Sequence, residues 1–192
     1  MKDVGIIFAS TTCGGIGYQN TLPWNIPEEL KHFRKITTTV NNNAKRNCII
    51  MGKNTWHSIP NKPLKKRVNI IITSNEYEKM KKEVDNGDDI IVVDSIETAI
   101  NHLNGNDDIE SGFIIGGALL YNECLNKHLD KIKYTYMTLI FDKKYECDKF
   151  IDTSLIYDNF SIEKQDIVVN DKYISMKCVN KNYPAIIDEP PD

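Results

Sequence analysis

The sequence predicts an α/β fold. We expect a single domain with a central, mostly parallel sheet that ends in an antiparallel C-terminal hairpin and carries helices on both faces. Two observations predict it: short runs rich in Val and Ile alternate with helical segments up to residue 126, and strand-like segments then follow one another. Continuous apolar runs are typical of strands that are covered on both faces, as in a parallel sheet. Alternation with helices is typical of an α/β fold.

The predicted elements of the first part of the chain are separated by segments rich in Asn, Asp and Gly, which favour turns. The strand candidates are 4–9, 47–51, 68–73, 89–93 and 112–116. The helical candidates are 27–36, 54–58, 76–83, 95–103 and 117–126. The loop candidates are 41–47, 85–89 and 104–108.

The C-terminal part contains three strand candidates, 132–141, 160–169 and 172–179, and no helix is predicted between them. Asn170 and Asp171 separate the last two and favour a tight hairpin turn. The remaining residues, 183–192, are acidic and contain three prolines. We therefore predict a domain at 1–182 and a disordered or linker tail at 183–192.

Glu29 stands out in the first predicted helix because it shares a helical face with Phe33 and Ile36. Glu28 fits a solvated first turn with Asn25 as the N-cap. Glu29 could likewise face water, which is the commoner situation for Glu. Alternatively it is buried and meets a polar ligand, because a buried carboxylate without a partner is costly.

Composition excludes several classes of protein. With 192 residues and a net charge of -3, the chain suits one domain and lacks the basic surface of a nucleic-acid-binding protein. No segment approaches the length of apolar sequence that spans a membrane. The five cysteines and four histidines are scattered without metal-ligand spacing. We predict reduced thiols, no metal site and a soluble, cytoplasmic protein.

Three strand-to-helix junctions carry groups that could bind an anion. Ligands of open α/β sheets bind at the carboxyl ends of the strands, and helix N-termini there favour phosphates. Each junction could equally be an ordinary turn, but together they could hold a dinucleotide. The junctions are Gly116–Gly117, then Gly52–Lys53–Asn54–Thr55, and Thr73–Ser74.

A glycine-containing loop and a basic residue can each be interpreted in two ways. The loop 11–20 contains three glycines and could be a mobile lid over a site or a plain surface loop. Arg67 follows two lysines and could clamp a carboxylate in a bidentate pair or belong to a solvated basic cluster.

Five ordered segments resemble the dihydrofolate reductase family across residues 4–179. They are IGYQNTLPW, EELKHFRKIT, CIIMGKNTWHSIP, PLKKRVNIIITS and IIGGALLY. The resemblance implies an enzyme that passes hydride from NADPH to C6 of 7,8-dihydrofolate, with protonation at N5. The product would be 5,6,7,8-tetrahydrofolate, which supplies one-carbon metabolism and thymidylate synthesis.

The resemblance also implies roles around the substrate. Glu29 would accept hydrogen bonds from N3 and the 2-amino group of the pterin, and water would deliver the proton to N5. Trp24 and Thr138 would hold that water and the carboxylate, and Leu22 completes the catalytic set. Arg67 would pair with the α-carboxylate of the glutamate tail. The pterin and benzoyl pocket would be lined by Ile7, Phe8, Leu30, Phe33, Ile59 and Ile115, with the bulky Phe8 narrowing it.

For NADPH, the resemblance implies a cis peptide between Gly116 and Gly117 beside the pyrophosphate. Lys53 would be the main cation at the 2′-phosphate, because Asn75 and Leu119 stand where many members carry a basic or hydroxyl residue. The preference for NADPH would then be weaker than usual. The expected cofactor-binding residues are Ala9, Ile16, Gly17, Gly52, Lys53, Asn54, Thr55, Thr73, Ser74, Gly116, Gly117, Ala118, Leu119, Leu120 and Tyr121.

Two other functions remain open on the sequence. A riboflavin-pathway reductase of the same fold would use NADPH on a different heterocycle, although Glu29 and Arg67 suit a folate. A folate- or nucleotide-binding protein would bind both ligands without turnover. The expected partners are dihydrofolate and antifolate inhibitors, with no nucleic acid or membrane. We expect a monomer unless the chain is joined to thymidylate synthase.

Overall fold

The computed structural model describes residues 1–84, 87 and 89–184. Its strands are β1 (Val4–Thr11), β2 (Gly15–Gly17), β3 (Arg46–Gly52), β4 (Arg67–Ile72), β5 (Ile90–Val93), β6 (Ile109–Gly116), β7 (Tyr134–Ile140), β8 (Lys149–Phe150), β9 (Phe160–Val169) and β10 (Tyr173–Asn180). Its α-helices are α1 (Pro27–Thr38), α2 (Lys53–Ser58), α3 (Tyr77–Glu83), α4 (Ile96–Gly105), α5 (Ala118–Lys127) and α6 (Thr153–Asn159).

Eight strands form a central sheet in the order β5-β4-β3-β6-β1-β7-β10-β9. The six strands from β5 to β7 are parallel, and β10 pairs antiparallel with both β7 and β9. The predicted mixed sheet with an antiparallel end is therefore confirmed. In such a sheet the carboxyl ends of the parallel strands meet at one edge.

Alternation along the strands explains why helices cover both faces. Ile6 and Ile50 belong to one core cluster, whereas their neighbours Ile7 and Ile49 belong to a second cluster. The first cluster packs against α4, α5 and α6, and the second receives Trp56 of α2, Met80 of α3 and partly buried side chains of α1. Successive side chains of a strand point to opposite faces, so continuous apolar runs bury both faces of the sheet.

The C-terminal hairpin forms at the predicted turn. The Asn170 backbone N–H donates to the Tyr173 carbonyl (3.1 Å), and the Asn170 side-chain oxygen accepts from the backbone N–H groups of Lys172 and Tyr173, both at 2.9 Å. The side chain thus replaces backbone partners inside the turn, which is the property that makes Asn common there.

Three sequence expectations are wrong. A helix, α6, lies between the C-terminal strands, and its N-cap Asp152 accepts from the Ser154 backbone N–H. The N-cap of α1 is Ile26 rather than Asn25, and no side chain among the described residues caps that helix. The loop 11–20 contains β2, which pairs with β8 in a second, two-stranded sheet.

The predicted loop 85–89 and the predicted tail lie partly outside the residues that the structure describes. Of the predicted loop 85–89, the residues 85, 86 and 88 lie outside the described part, as do 185–192 of the predicted tail. The domain boundary at residue 182 stays a prediction. Within the described residues, no helix is both long enough and apolar enough to cross a membrane.

Candidate active site

A cleft of about 700 Å³ opens at the carboxyl ends of the parallel strands. It is lined by residues that directly follow β3, β4, β5 and β6, which are four neighbouring strands of the sheet. All residues predicted to bind the cofactor line this cleft except Gly116. Leu22 and Ile115, predicted for the catalytic and substrate sets, also line it. The three strand-to-helix junctions identified in the sequence therefore converge on one site.

Gly116 and Gly117 bring two segments of chain into close contact at the floor of this cleft. Gly116 has a φ of 118°, and the peptide bond between the two glycines is cis, as the resemblance implies. A Cβ on Gly117 would come within 3.1 Å of the Thr55 hydroxyl oxygen. Helix α5 begins at the next residue, and no side chain in the described structure caps it. Its first backbone N–H groups are therefore free to bind a ligand.

Lys53 is paired inside the cleft. Its ammonium group hydrogen-bonds the carboxylate of Glu76, which Lys79 also contacts at 3.3 Å. The hydrogen bond from Lys53 is the main reason that the pKa of Glu76 lies below its ordinary value. The sequence predicted Lys53 as the main cation for a phosphate and did not predict its carboxylate partner.

Several other cleft residues were missed by the sequence analysis. Asp94 directly follows β5 and accepts hydrogen bonds from the hydroxyls of Thr98 (2.8 Å) and Ser95 (3.1 Å). These bonds, the one from Thr98 most of all, hold the pKa of Asp94 below its ordinary value. The strand-end rule that singled out Thr73 could have found Asp94. The missed lining residues are Asn20, Thr21, Ser58, Ile72, Glu76, Asp94, Glu123 and Lys149, while Asn75, which the resemblance placed near the 2′-phosphate without a binding role, also lines the cleft.

Glu29 is buried in the first turn of α1, where only 7% of its surface is exposed. Burial raises the pKa of its carboxyl group to about 7. No side chain in the described part of the chain donates a hydrogen bond to it. Its charge also raises the pKa of Tyr121, after the larger effect of that residue's own burial. Because Tyr121 lines the cleft, Glu29 lies within electrostatic reach of the cleft.

The two residues predicted to assist Glu29 are both buried. Trp24 has an indole N–H with no partner among the described residues. Thr138 donates its hydroxyl to Ser175 (3.1 Å), whose oxygen lies 2.9 Å from the His32 ring. The described structure therefore contains no direct bond between Thr138 and the Glu29 carboxylate. The buried Trp24 N–H is a donor that a bound water would satisfy.

The apolar side chains predicted for the substrate pocket are partly buried or exposed, apart from the buried Ile7 and Phe8. Ile7 lies in the second core cluster, and the partly buried Phe33, Ile59 and Ile115 pack against it. Leu30 of α1 is 46% exposed, and Leu22 is 50% exposed. Large apolar side chains that stay exposed, such as Leu30 next to the buried Glu29 in α1, are typical of ligand sites.

Phe8 differs from this group. Its side chain lies in the first core cluster and packs against the ring of Tyr121, with 5.8 Å between ring centroids. Ile7 points to the opposite face of the sheet because neighbouring strand residues alternate. Phe8 therefore lies beside the cleft residue Tyr121 and on the other face of the sheet from Ile7, and the expectation that its bulk narrows the pocket stays a prediction.

Arg67 is buried at the start of β4, with 4% of its surface exposed. Its guanidinium donates to the Thr37 hydroxyl (2.8 Å) and to the Lys65 carbonyl (3.2 Å), and stacks near the Phe33 ring. Burial lowers its pKa to about 10, and the charge of Arg34 adds to this effect. No carboxylate in the described residues pairs with it. Two of its five N–H groups donate to these partners, which leaves three without a partner among the described residues.

The loop after β1 forms one wall of the cleft through Ile16 and Gly17 of β2. It continues into a tight turn in which Tyr18 and Thr21 exchange two backbone hydrogen bonds of 3.0 and 2.9 Å. Gln19 and Asn20 have φ values of 47° and 61°, the pattern of a type I′ hairpin turn. The loop is thus an ordered hairpin against β8, and not an irregular surface loop.

Comparisons with known proteins agree with this architecture. The family model described as "Dihydrofolate reductase" matches residues 3–184. The chain is 36% identical to the dihydrofolate reductase of Heliothis virescens over 155 residues, which is 78% of this chain and 80% of that protein. It is 43% identical to the Candida albicans enzyme of the same name over 126 residues, covering 65% of this chain and 62% of that protein.

A longer relative carries a second activity in its name. The chain is 35% identical to "Bifunctional dihydrofolate reductase-thymidylate synthase 1" of Arabidopsis thaliana over 160 residues, which is 78% of this chain but 29% of that protein. The match thus concerns only a part of the bifunctional protein. Since the family model and several relatives cover most of its length, the chain belongs to the dihydrofolate reductase family.

Proposed function

We propose that this protein reduces 7,8-dihydrofolate to 5,6,7,8-tetrahydrofolate with NADPH. The observation that carries the proposal is the arrangement along α1. Among the described residues, the buried carboxylate at the start of the helix has no hydrogen-bond donor and the buried guanidinium beside its end has no acidic partner. Apolar side chains lie between them. A ligand with a hydrogen-bonding ring at one end, an apolar middle and a carboxylate at the other end matches this order.

The spacing of α1 supports such a ligand. Glu29, Phe33 and Thr37 are four residues apart and lie on one helical face. Glu29 and Thr37 are therefore separated by about 12 Å along the helix axis. Arg67 bonds to Thr37 and stacks near Phe33. We infer that the pterin ring binds Glu29, the benzoyl group contacts Leu30 and Phe33, and the α-carboxylate pairs with Arg67.

Glu29 has the acid strength that this chemistry needs. With a pKa of about 7, its carboxyl group exists in both protonation states near neutral pH. We propose that it accepts hydrogen bonds from N3 and the 2-amino group of the pterin, and so favours protonation at N5. The proton comes through a water molecule held near the Trp24 N–H and Thr138. Leu22 would exclude bulk solvent at the mouth of the cleft.

The large cleft fits a dinucleotide, and NADPH would supply hydride when bound there. Free N–H groups at the start of α5 and the close approach at Gly117 suit a pyrophosphate. Ala9, Tyr121 and the β2 hairpin would border the nicotinamide ring. Lys53, Thr73 and Ser74 would contact the adenosine end.

The proposal includes the compartment and the oligomeric state of the enzyme. All five cysteines are free, which suits a reducing compartment such as the cytoplasm. We propose that residues 1–182 form the catalytic unit and that it works as a monomer unless it is joined to thymidylate synthase. The measured mass of the native protein tests both statements.

One assay tests the function. The protein is mixed with NADPH and dihydrofolate, and the absorbance of the reduced nicotinamide is followed. We expect a loss of absorbance that is proportional to enzyme and matched by formation of tetrahydrofolate. Binding of both ligands without turnover would support a binding protein instead. Turnover with a riboflavin-pathway heterocycle but not with dihydrofolate would support the other reductase.

A further inference from the structure

Three neighbouring strands present a row of charged and polar groups at one end of the cleft. Gly52 is in register with Ile72, and Ile72 with Val93. The residues that follow them, Lys53, Thr73 and Asp94, therefore stand side by side, about 5 Å apart from strand to strand. Glu76 lies four residues after Ile72 and reaches this row through its bond to Lys53.

Carboxylates in this row oppose the positive charge that a phosphate needs. Lys53 is paired with Glu76, which the more exposed Lys79 also contacts at 3.3 Å, and the Lys53 and Glu76 side chains are 27% and 36% exposed. Asp94 adds a second carboxylate, held in place by Thr98 and Ser95. A phosphate dianion that approaches Lys53 must displace Glu76 or lie beside it, and both alternatives cost binding energy. A ribose hydroxyl meets neither obstacle.

We propose that Glu76 competes with the 2′-phosphate of the dinucleotide for Lys53, and that Asp94 repels the same phosphate. The two carboxylates lower the affinity for NADPH, so that the protein discriminates weakly between the two dinucleotides and binds NADH within about tenfold of its affinity for NADPH. This inference rests on the proposed function for the choice of ligand. It concerns the acidic groups of this particular chain, which oppose the phosphate, and not the cation that attracts it.

The test measures dissociation constants for NADPH and NADH by quenching of protein fluorescence at low salt. Glu76→Gln should tighten NADPH about fivefold to tenfold and leave NADH unchanged, since only the phosphate competes with the carboxylate. Asp94→Asn should tighten NADPH about threefold, because its carboxylate acts at longer range. Glu78→Gln is the matched control: it removes the same charge from the first turn of α3 but does not line the cleft.

Equal changes for both dinucleotides, or the same change in the Glu78→Gln control, would overturn the proposal. A double-mutant cycle with Lys53→Met separates competition from simple repulsion. The gain from Glu76→Gln should shrink when Lys53 is absent. If the full gain persists, Glu76 does not compete for Lys53, and the inference fails.

A second probe separates this inference from the proposed function. The constants for 2′,5′-ADP and 5′-ADP report on the adenosine end alone, without hydride chemistry. If Glu76→Gln tightens only 2′,5′-ADP while the protein fails to reduce dihydrofolate, the inference stands and the proposed function fails. If the protein reduces dihydrofolate but Glu76→Gln leaves the dissociation constants for both probes unchanged, the proposed function stands and the inference fails.

Discussion

Two glutamates at the two ends of the site differ in almost every physical respect. Glu29 is buried, has no hydrogen-bonding partner among the described side chains, and has a pKa raised to about 7 by burial. Glu76 is more accessible, contacts two lysines, and has a pKa lowered chiefly by its bond from Lys53. The proposed substrate end thus holds a buried acid without a partner among the described side chains, whereas the proposed cofactor end holds an accessible carboxylate paired with lysines.

This difference predicts whether pH or salt concentration has the larger effect at each end of the site. A buried acid near its pKa responds to pH and hardly to salt, because counterions do not reach it. An accessible ion pair responds to salt and little to pH between the pKa values of its partners.

Glu29→Gln should cause the largest effect. The variant should fold, yet its dihydrofolate turnover near neutral pH should fall by about a hundredfold or more, because the ionisable group beside the pterin is lost. The deficit should shrink in acid, where solvent can protonate the substrate. Steady-state rates across pH measure this. Glu28→Gln, which changes the neighbouring exposed acid, should keep wild-type rates, and full activity of Glu29→Gln at neutral pH would refute the assignment.

Burial of Glu29 should make the stability of the ligand-free protein depend on pH. Burial raises the pKa from 4.5 to about 7, so the wild-type contribution of this group is most favourable below the lower value and falls as pH rises through the upper one. The Glu29→Gln variant has no ionisable group at this position, so its stability does not fall with pH for this reason. Its free energy of unfolding relative to wild type should therefore increase by about 3 kcal/mol from acid to mildly alkaline pH.

Urea titrations of both proteins at several pH values measure this difference, and Glu28→Gln again serves as the control. A difference between Glu29→Gln and wild type that does not depend on pH would mean that Glu29 is solvated in the free protein. The contrast with Glu76 would then disappear.

Arg67→Ala should weaken dihydrofolate binding and leave the cofactor end unchanged. Loss of a charge-assisted pair with the glutamate tail should raise KM for dihydrofolate about thirtyfold, which corresponds to about 2 kcal/mol. KM for NADPH should stay constant. A dihydropterin without the benzoylglutamate tail is the matched control, since it should be reduced equally well by both proteins. If the variant loses activity on both substrates equally, Arg67 acts through the fold and not through the tail.

The fold was predictable to the extent that it depends on local pattern. All five apolar runs of the first part form strands, because residues such as Ile49 and Ile50 bury opposite faces and need no distant information. The pairing of β2 with β8 was not predictable, since it joins residues far apart in sequence. Helix α6 was missed although Asp152, a residue type that favours N-cap positions, directly precedes it.

The site was predictable at positions where residue type conflicts with location. An acid on the apolar face of α1 pointed to Glu29, and glycines at a strand end pointed to Gly116 and Gly117. Glu76 carried no such signal, because an acid near the start of a helix is ordinary. Its role depends on contact with Lys53, 23 residues earlier in the chain. Only the folded structure shows that the predicted cation already has a partner.

That partner sets the size of the smallest expected effect. Lys53→Ala should raise KM for NADPH only about fivefold to tenfold, because Glu76 already offsets much of the attraction between Lys53 and a phosphate. KM for NADH should change by less than about twofold, since an unphosphorylated ribose does not need the cation. Added salt should reduce the NADPH effect further, whereas the Glu29→Gln deficit should persist because a buried acid is poorly screened. Steady-state assays at low and high salt provide both measurements. Equal effects on the two dinucleotides would reject the place of Lys53 at the 2′-phosphate, and equal salt dependence at both ends would remove the distinction between the buried and the accessible glutamate.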